Sequence, residues 1–214
     1  MITTVDVETS WQKTETGGYD PSPFHPDNIL VSVGINDEYY FTNHSERIDK
    51  GCASKIQSIL DKTTLLIGHN IKFDLMWLLE SGFKYSGRVY DTMLGEYVLN
   101  RGVRKSLTLE MSCRRRRIGS KDSRIKEFTD RGIPFQDIPV DLVEEYGRID
   151  VEITRRLFDS QMGDLKMAKN KGLLMTLKMM NEFLIVLSDM ERNGININLD
   201  ELSKVEKEYR AEFA

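Results

Sequence analysis

The first 100 residues alternate between short segments rich in β-branched side chains and segments whose apolar residues have helical spacing. The pattern predicts strands at residues 2–8, 29–35, 39–41, 65–67 and 89–90. It predicts helices at residues 45–61 and 71–81, and a third that is capped by Asp91 and reaches Asn100. An opening meander followed by alternating helices and strands favours a mixed central sheet flanked by helices, which is an α/β fold.

The first predicted helix has a definite start and a definite buried face. Ser45 is expected to be its N-cap, and Ile48, Cys52, Ile56 and Ile59 are spaced to face the core. Residues 9–27, which contain Trp11, two glycines and three prolines, are expected to form a long break after the first strand.

From Leu107 onward the chain is predicted to be helical, with long helices at residues 137–169 and 173–192. A last amphipathic helix starts at Asp200 and has no stop signal, so the sequence is expected to be part of something longer. Four methionines at helical spacing are expected to pack in the interior: Met175, Met179, Met180 and Met190.

Composition excludes several classes of protein. The chain has 214 residues and a net charge of -4, and its longest apolar run is far shorter than the roughly 20 residues that span a bilayer. An acidic residue at position 6 comes too early for a signal peptide, and Cys52 and Cys113 form no metal-binding or disulfide pattern. We therefore expect an intracellular protein in a reducing compartment, with no membrane partner.

Two acidic residues share one face of the first strand. Because strand side chains alternate, Val5 and Val7 point one way while Asp6 and Glu8 point the other. Two adjacent carboxylates repel unless a cation lies between them or one is protonated. For a single such pair, a solvated strand face is the better explanation.

Two further acids lie in predicted helices. Asp74 falls within a nearly continuous apolar stretch, where an ionised carboxylate is costly unless it is paired, hydrogen-bonded or metal-bound. Tyr146 and Asp150 are four residues apart and share the apolar face of their helix. The alternatives are that Asp74 faces solvent or pairs with Lys72, and that Tyr146 and Asp150 simply share a hydrogen bond.

Together, Asp6, Glu8, Asp74 and Asp150 supply only oxygen ligands, which suit Mg²⁺ or Mn²⁺ rather than zinc. Four carboxylates can hold two such ions about 3.5–4 Å apart, an arrangement used for attack on phosphodiesters. His25, His44 and His69 show no ligand spacing and are expected to bind no metal.

The order of these motifs resembles a known superfamily. Asp6-Val7-Glu8, Asn70-x-x-x-Asp74 and Tyr146-x-x-x-Asp150 look like the three exonuclease motifs of the DEDD superfamily, and the tyrosine is typical of its DEDDy branch. The stretches 90–94, 145–154 and 187–197 resemble the 3′–5′ proofreading domain of family A DNA polymerases and its connection to the polymerase thumb. The early position of the first motif is similar to polymerases of bacteriophages. This resemblance implies the cytoplasm of a bacterium or of an infected host cell as the location.

The resemblance implies a ribonuclease-H-like domain at residues 1–171 and a helical connection, the start of the thumb, at residues 172–214. It implies a metal-dependent exonuclease that releases nucleoside 5′-monophosphates from the 3′ end of single-stranded DNA, with a polymerase domain as partner in cis or in trans.

The resemblance also implies roles for individual residues. Two Mg²⁺ ions are expected, with Mn²⁺ able to substitute: Asp6 would bridge both, Glu8 and Asp150 would hold one, and Asp74 would serve the other. A tyrosine has an ordinary pKa near 10 and is a poor base at pH 7, so Tyr146 is expected to orient the attacking water. Thr9 and Asn70 would contact the terminal nucleotide, and Trp11 would either stack on a base or anchor its loop.

Residues 101–126 contain ten basic residues against two acids. Within them Arg114, Arg115, Arg116 and Arg117 are candidate contacts to a phosphate backbone. A solvated helix face or a surface that docks a polymerase are the alternatives. Two other functions also remain open: an exoribonuclease of the RNase D type, and a catalytically silent module that only binds DNA or supports a polymerase.

Overall fold

The computed structural model describes residues 1–120 and 124–213. In these ranges the seven strands are β1 Ile2–Thr9, β2 Gln12–Lys13, β3 Tyr19–Asp20, β4 Leu30–Ile35, β5 Glu38–Phe41, β6 Leu65–Gly68 and β7 Arg88–Asp91. The eight α-helices are α1 Cys52–Lys62, α2 Ile71–Glu80, α3 Thr92–Leu99, α4 Leu109–Arg116, α5 Arg124–Thr129, α6 Val140–Leu165, α7 Lys171–Asn193 and α8 Leu199–Glu212.

Five strands form one mixed sheet in the order β5-β4-β1-β6-β7. The central strand β1 is antiparallel to β4 and parallel to β6, and β6 is parallel to β7. This arrangement confirms the mixed sheet that the sequence predicts. It also places the strand that carries Asp6 and Glu8 in the middle of the molecule.

The sheet has apolar side chains on both faces because helices cover both. Val5 and Val7 of β1 belong to a core that also contains Ile71, Leu75 and Leu78 of α2. On other parts of the molecule α6 contributes Phe158, Val143 and Leu157 to three further clusters. The long helix α6 is therefore fixed to the sheet at several points along its length.

The prediction for the start of α1 is wrong. The helix begins at Cys52 rather than near Ser45, and Ile48 is 64% exposed instead of buried. The Ser45 hydroxyl donates to the carbonyl of Gln136 at 2.5 Å, so it ties two distant segments together and caps no helix.

The prediction that four methionines pack in the interior is wrong for three of them. Met175, Met179 and Met190 lie on an exposed face of α7, whereas Met180 packs against a core cluster. Helix α8, as described to residue 213, buries none of its side chains.

Two smaller differences from the predictions concern residues 9–27 and the two ends of α6. The predicted break contains a two-stranded ribbon, β2 paired with β3, that the sequence did not reveal. The predicted helix 137–169 is shorter at both ends, because a 3-10 turn at Phe135–Asp137 precedes Pro139 and another occupies Ala168–Asn170. Among the described helices, none has both the length and the apolar character needed to cross a bilayer.

Candidate active site

Three of the four predicted acids come together in the fold. One carboxylate oxygen from each of Asp6, Glu8 and Asp150 lies within 4.8 Å of the others. Asp6 and Glu8 are neighbours on one face of β1, and Asp150 comes from the middle of α6. Glu8 and Asp150 are buried and Asp6 is partly buried.

Local sequence explains why these groups face each other. Val5 and Val7 turn into the apolar core, which directs the alternating Asp6 and Glu8 to the opposite face of β1. Asp150 lies on the same helical stripe as Ile153 and Leu157, which are buried, so α6 turns it toward the interior.

Asp74 lies next to this cluster without being part of it. Its Oδ1 atom accepts a hydrogen bond from the backbone N–H of Val7 at 3.0 Å. The parallel pairing of β1 with β6 extends only to Thr4, so the Asp74 side chain serves as the acceptor where the neighbouring strand has ended.

The environment of Asp74 opposes its ionisation in the absence of a cation. Burial raises the pKa of its carboxyl well above the usual range, and the negative charge of Asp6 raises that pKa further. Val7 lies between Asp6 and Glu8 on β1, so its hydrogen bond to Asp74 places all four acids in one region.

Asn70 lies at the turn between β6 and α2. Its backbone has φ 62°, in the left-handed region, and its side chain is exposed and makes no capping hydrogen bond. The backbone N–H of Asn70 donates to Oδ1 of Asp91 at 2.9 Å, and the same oxygen accepts from the N–H of Met93 at 2.8 Å. Asp91 therefore fixes the turn that presents Asn70, in addition to capping α3.

Asp91 is also buried enough to change its acidity. Burial raises its pKa to about 6 in spite of the backbone hydrogen bonds that it accepts. The sequence indicated Asp91 only as a helix cap, because its bond to Asn70 joins residues that are 21 positions apart.

Tyr146 lies one helical turn before Asp150 and is partly buried. Its ring contacts Phe135, with ring centroids 6.1 Å apart, and Phe135 in turn meets Trp11 edge-on at 5.8 Å. Trp11 also packs edge-on against Tyr19 of the β2–β3 ribbon at 5.7 Å. These contacts favour the interpretation in which Trp11 anchors its loop.

The four consecutive arginines do not form one uniform surface. Arg115 donates to Glu96 at 3.1 Å, and Arg116 donates to Glu96 and, at 2.8 Å, to Asp164. Glu96 is almost completely buried, so these two arginines neutralise an internal charge. Their predicted availability to a phosphate backbone is not supported by these contacts.

Arg114 and Arg117 are exposed and remain candidates for nucleic-acid contact. Lys121 and Asp122, which also belong to the basic stretch, lie outside the described residues. Thr9 is only 5% exposed at the end of β1, where the pairing with β4 is irregular. A contact from Thr9 to a nucleotide stays a prediction, as does that from Asn70.

The histidines have structural contacts. His44 shares a hydrogen bond with the carbonyl of Ile138 at 2.9 Å, and His69 contacts Thr92 and the carbonyl of Leu107, both at 2.8 Å. Within residues 1–120 and 124–213, Asp6, Glu8 and Asp150 form the group whose geometry suits a metal ion.

The chemistry of this group fits a hard divalent cation. All three side chains offer carboxylate oxygens, the ligand type that Mg²⁺ and Mn²⁺ prefer. Three carboxylates so close together repel one another in a partly buried site, and a cation offsets that repulsion.

Comparison with known proteins points in the same direction. A family model described as 3′-5′ exonuclease matches residues 13–166. DNA polymerase I of Borreliella burgdorferi is 27% identical over 193 residues, which are 88% of this chain and 21% of that protein. The chain therefore spans about a fifth of the length of this relative.

Two solved structures show the same fold. NrnC of Brucella melitensis with bound Mg²⁺ has a TM-score of 0.64 and 18% identity, and the match covers 90% of this chain and 86% of that one. The catalytic core of RRP6 from Trypanosoma brucei has a TM-score of 0.55 and 12% identity, with 86% and 45% covered. The predicted ribonuclease-H-like fold is confirmed. Since the family model covers most of the chain, the protein belongs to the 3′-5′ exonuclease domain family of the DNA polymerase I type.

Proposed function

We propose that this chain is a metal-dependent 3′–5′ DNA exonuclease that removes nucleoside 5′-monophosphates from single-stranded or frayed 3′ ends. The observation that carries the proposal is the meeting of Asp6, Glu8 and Asp150 within 4.8 Å, in a chain of this family. The hydrogen bond from Val7 to Asp74 supports a role for the fourth acid in the same centre.

The four acids would hold two divalent cations, Mg²⁺ or in its place Mn²⁺. Asp6, Glu8 and Asp150 would bind one ion, and Asp6 together with Asp74 would bind the other. When bound, such ions supply positive charge that acidifies a water molecule and stabilises a leaving oxygen. The bound Mg²⁺ of NrnC, which has a similar fold, is consistent with this proposal.

Other residues would position the substrate. The Tyr146 hydroxyl, on the same face of α6 as Asp150, would orient the attacking water, while its contact with Phe135 holds the ring in place. Asn70 would touch the terminal nucleotide from the start of α2, where it is exposed. Thr9 would act from the end of β1, and Arg114 and Arg117 would attract the strand through their charge.

The natural setting that we propose is proofreading for a family A polymerase, with the polymerase domain acting in cis or in trans. Residues 1–171 would form the exonuclease domain, and residues 172–214 the helical connection toward the polymerase. The similarity to one segment of a much longer DNA polymerase I supports this assignment.

The test is an assay of strand shortening. The purified chain is incubated with 5′-labelled single-stranded DNA and Mg²⁺, next to Asp6→Ala and Asp150→Ala. We expect a ladder that shortens from the 3′ end and that is absent in both variants and in EDTA.

Either of two other outcomes would indicate a different function. Faster shortening of a matched RNA strand than of DNA would indicate an exoribonuclease. Binding of DNA that persists in EDTA, without mononucleotide release in Mg²⁺, would indicate a silent binding module.

A further inference from the structure

Two strands away from Asp6, on the same face of the sheet, lies a tyrosine that is not part of the three exonuclease motifs. Tyr39 lies on β5, opposite Gly34 of β4, and Gly34 lies opposite Asp6 of β1. The three residues therefore form a row across the sheet, in which cross-strand neighbours share one face. Gly34 has no side chain, so the Tyr39 ring has room on the face that carries Asp6.

The fit of this ring is close. A Cβ atom placed on Gly34 would lie 3.2 Å from the Tyr39 ring and 2.8 Å from Val151 of α6. A Cβ atom placed on Gly147 of α6 would lie only 2.4 Å from the ring and from the Tyr39 hydroxyl. Two glycines, one on the sheet and one on the helix, thus make the space in which the phenol lies.

The Tyr39 hydroxyl connects β4, the strand that pairs with β1, to α6, the helix that carries Asp150. It donates to the carbonyl of Val143, in the first turn of α6, at 3.3 Å. It also lies 2.8 Å from the Ser32 hydroxyl, which donates to the phenol oxygen when the phenol proton points at Val143. Ser32 is buried and stands directly opposite Glu8 in the β1–β4 pairing.

The Tyr39 phenol is almost completely buried, on the face of the sheet that carries Asp6. Burial raises its pKa well above the ordinary value, and the charges of Glu8 and Asp6 raise that pKa further. The hydroxyl therefore keeps its proton at neutral pH and remains a donor to α6.

We propose that Tyr39 is a positioning residue of the metal centre, and the inference rests on the proposed function above. By joining Ser32, the neighbour of Glu8, to the backbone of α6, its hydroxyl holds the Glu8 and Asp150 carboxylates at the separation where one cation binds both. Without the hydroxyl, α6 can shift on the sheet, and the affinity for the cation falls.

The experiment measures Mn²⁺ binding directly, by electron paramagnetic resonance of free Mn²⁺, in parallel with thermal unfolding. Tyr39→Phe removes the hydroxyl and keeps the ring. Tyr40→Phe is the matched control, because the adjacent Tyr40 bonds Glu38 and packs in the core that contains Val5 and Val7. We expect Tyr39→Phe to raise the Kd for Mn²⁺ by about 10-fold, as does the loss of other groups that hold metal ligands in place. The Kd of Tyr40→Phe should stay within about twofold of that of the parent.

A change of less than about threefold relative to Tyr40→Phe would overturn the inference. If Tyr39→Phe does not fold, Ser32→Ala decides the question, since it removes the other partner of the phenol and carries the same expectation and the same threshold. Failure of the proposed function would look different: the parent chain itself would not bind Mn²⁺, or Asp6→Ala would bind it equally well.

Discussion

The Oδ1 atom of Asp74 accepts the backbone N–H of Val7 at 3.0 Å, which joins α2 to the strand segment between Asp6 and Glu8. A buried carboxylate thus takes the place of a neighbouring strand. The same contact satisfies the Val7 N–H and brings the fourth acid to the edge of the cluster.

The first prediction concerns this carboxylate. Asp74→Asn keeps an oxygen that can accept from Val7 and removes the charge that burial disfavours. Because the folded-state pKa of Asp74 is raised, its contribution to stability is present at low pH and is lost as pH rises. In EDTA at pH 8, the variant should be more stable than the parent by on the order of 1 kcal/mol, and the two should converge near pH 4.

Urea unfolding at pH 8 and pH 4 measures the difference in stability between Asp74→Asn and the parent. The same variant also tests the proposed metal centre. Added Mg²⁺ should stabilise the parent more than Asp74→Asn, and exonuclease activity should fall by roughly 100-fold or more, as for loss of one charge-stabilising group. A variant that is less stable than the parent in EDTA at pH 8 would contradict this account of Asp74.

The second prediction is a pH dependence that arises at Asp91. Its pKa is raised to about 6 in the fold, so its stabilising contribution is complete below about pH 4 and is lost as pH rises through 6. Asp91→Asn retains an acceptor for Asn70 and Met93 and does not titrate. Between pH 4 and pH 7.5, the stability of the variant relative to the parent should rise by up to about 3 kcal/mol.

Guanidinium unfolding of both proteins across this range gives the comparison. A difference in free energy that does not vary with pH would show that folding does not raise the pKa of Asp91. Asp91→Ala serves as the control, since it should lose stability at every pH through loss of the helix cap.

The third prediction separates the four arginines. Arg116→Ala leaves the buried Glu96 with less compensating charge and should destabilise the fold by about 3 kcal/mol. Arg114→Ala and Arg117→Ala remove exposed charges and should change stability by less than about 0.5 kcal/mol.

Arg114→Ala and Arg117→Ala should weaken binding to single-stranded DNA more than Arg116→Ala does. Each of the two exposed substitutions that removes a phosphate contact should lower the slope of log Kd against log salt by about 0.7. If neither changes the slope, the exposed arginines do not follow the DNA backbone, and the basic stretch has another role.

The fourth prediction compares two glycines of the same helix. Gly147→Ala would place a methyl group 2.4 Å from Tyr39 and should destabilise the fold by about 1–3 kcal/mol, as overpacking does. Gly163→Ala meets no atom within 4 Å, so it should stabilise α6 by up to about 1 kcal/mol. Thermal unfolding of the pair tests the packing of Tyr39, and equal effects at both positions would contradict it.

For Asp6, Glu8 and Asp150, local periodicity was sufficient to predict which way each side chain points. Alternation along β1 directs Asp6 and Glu8 to one face, and the four-residue spacing on α6 directs Asp150 inward with Tyr146 on the same side. Each of these patterns lies within one element, where the geometry is regular. The central mixed sheet was predictable for the same reason, whereas the β2–β3 ribbon and the start of α1 were not.

Contacts between distant segments could not be predicted in this way. Ser45 has the composition of a helix cap, but it bonds to Gln136, which is 91 positions away. In the sequence Arg115 and Arg116 resemble surface charges, but in the fold both form ion pairs with the buried Glu96. Tyr39 resembles any core aromatic residue, because its partner Val143 is 104 positions away.

The central claim is that Asp6, Glu8 and Asp150 form a cation site, and a crystal soaked in Mn²⁺ tests it most directly. Anomalous scattering locates manganese without reference to any assumed ligand. We predict a peak coordinated by oxygens of Asp6, Glu8 and Asp150, and its loss in Asp6→Ala. Saturating Mn²⁺ with no peak among these three carboxylates, or a peak that persists unchanged in Asp6→Ala, would contradict the account.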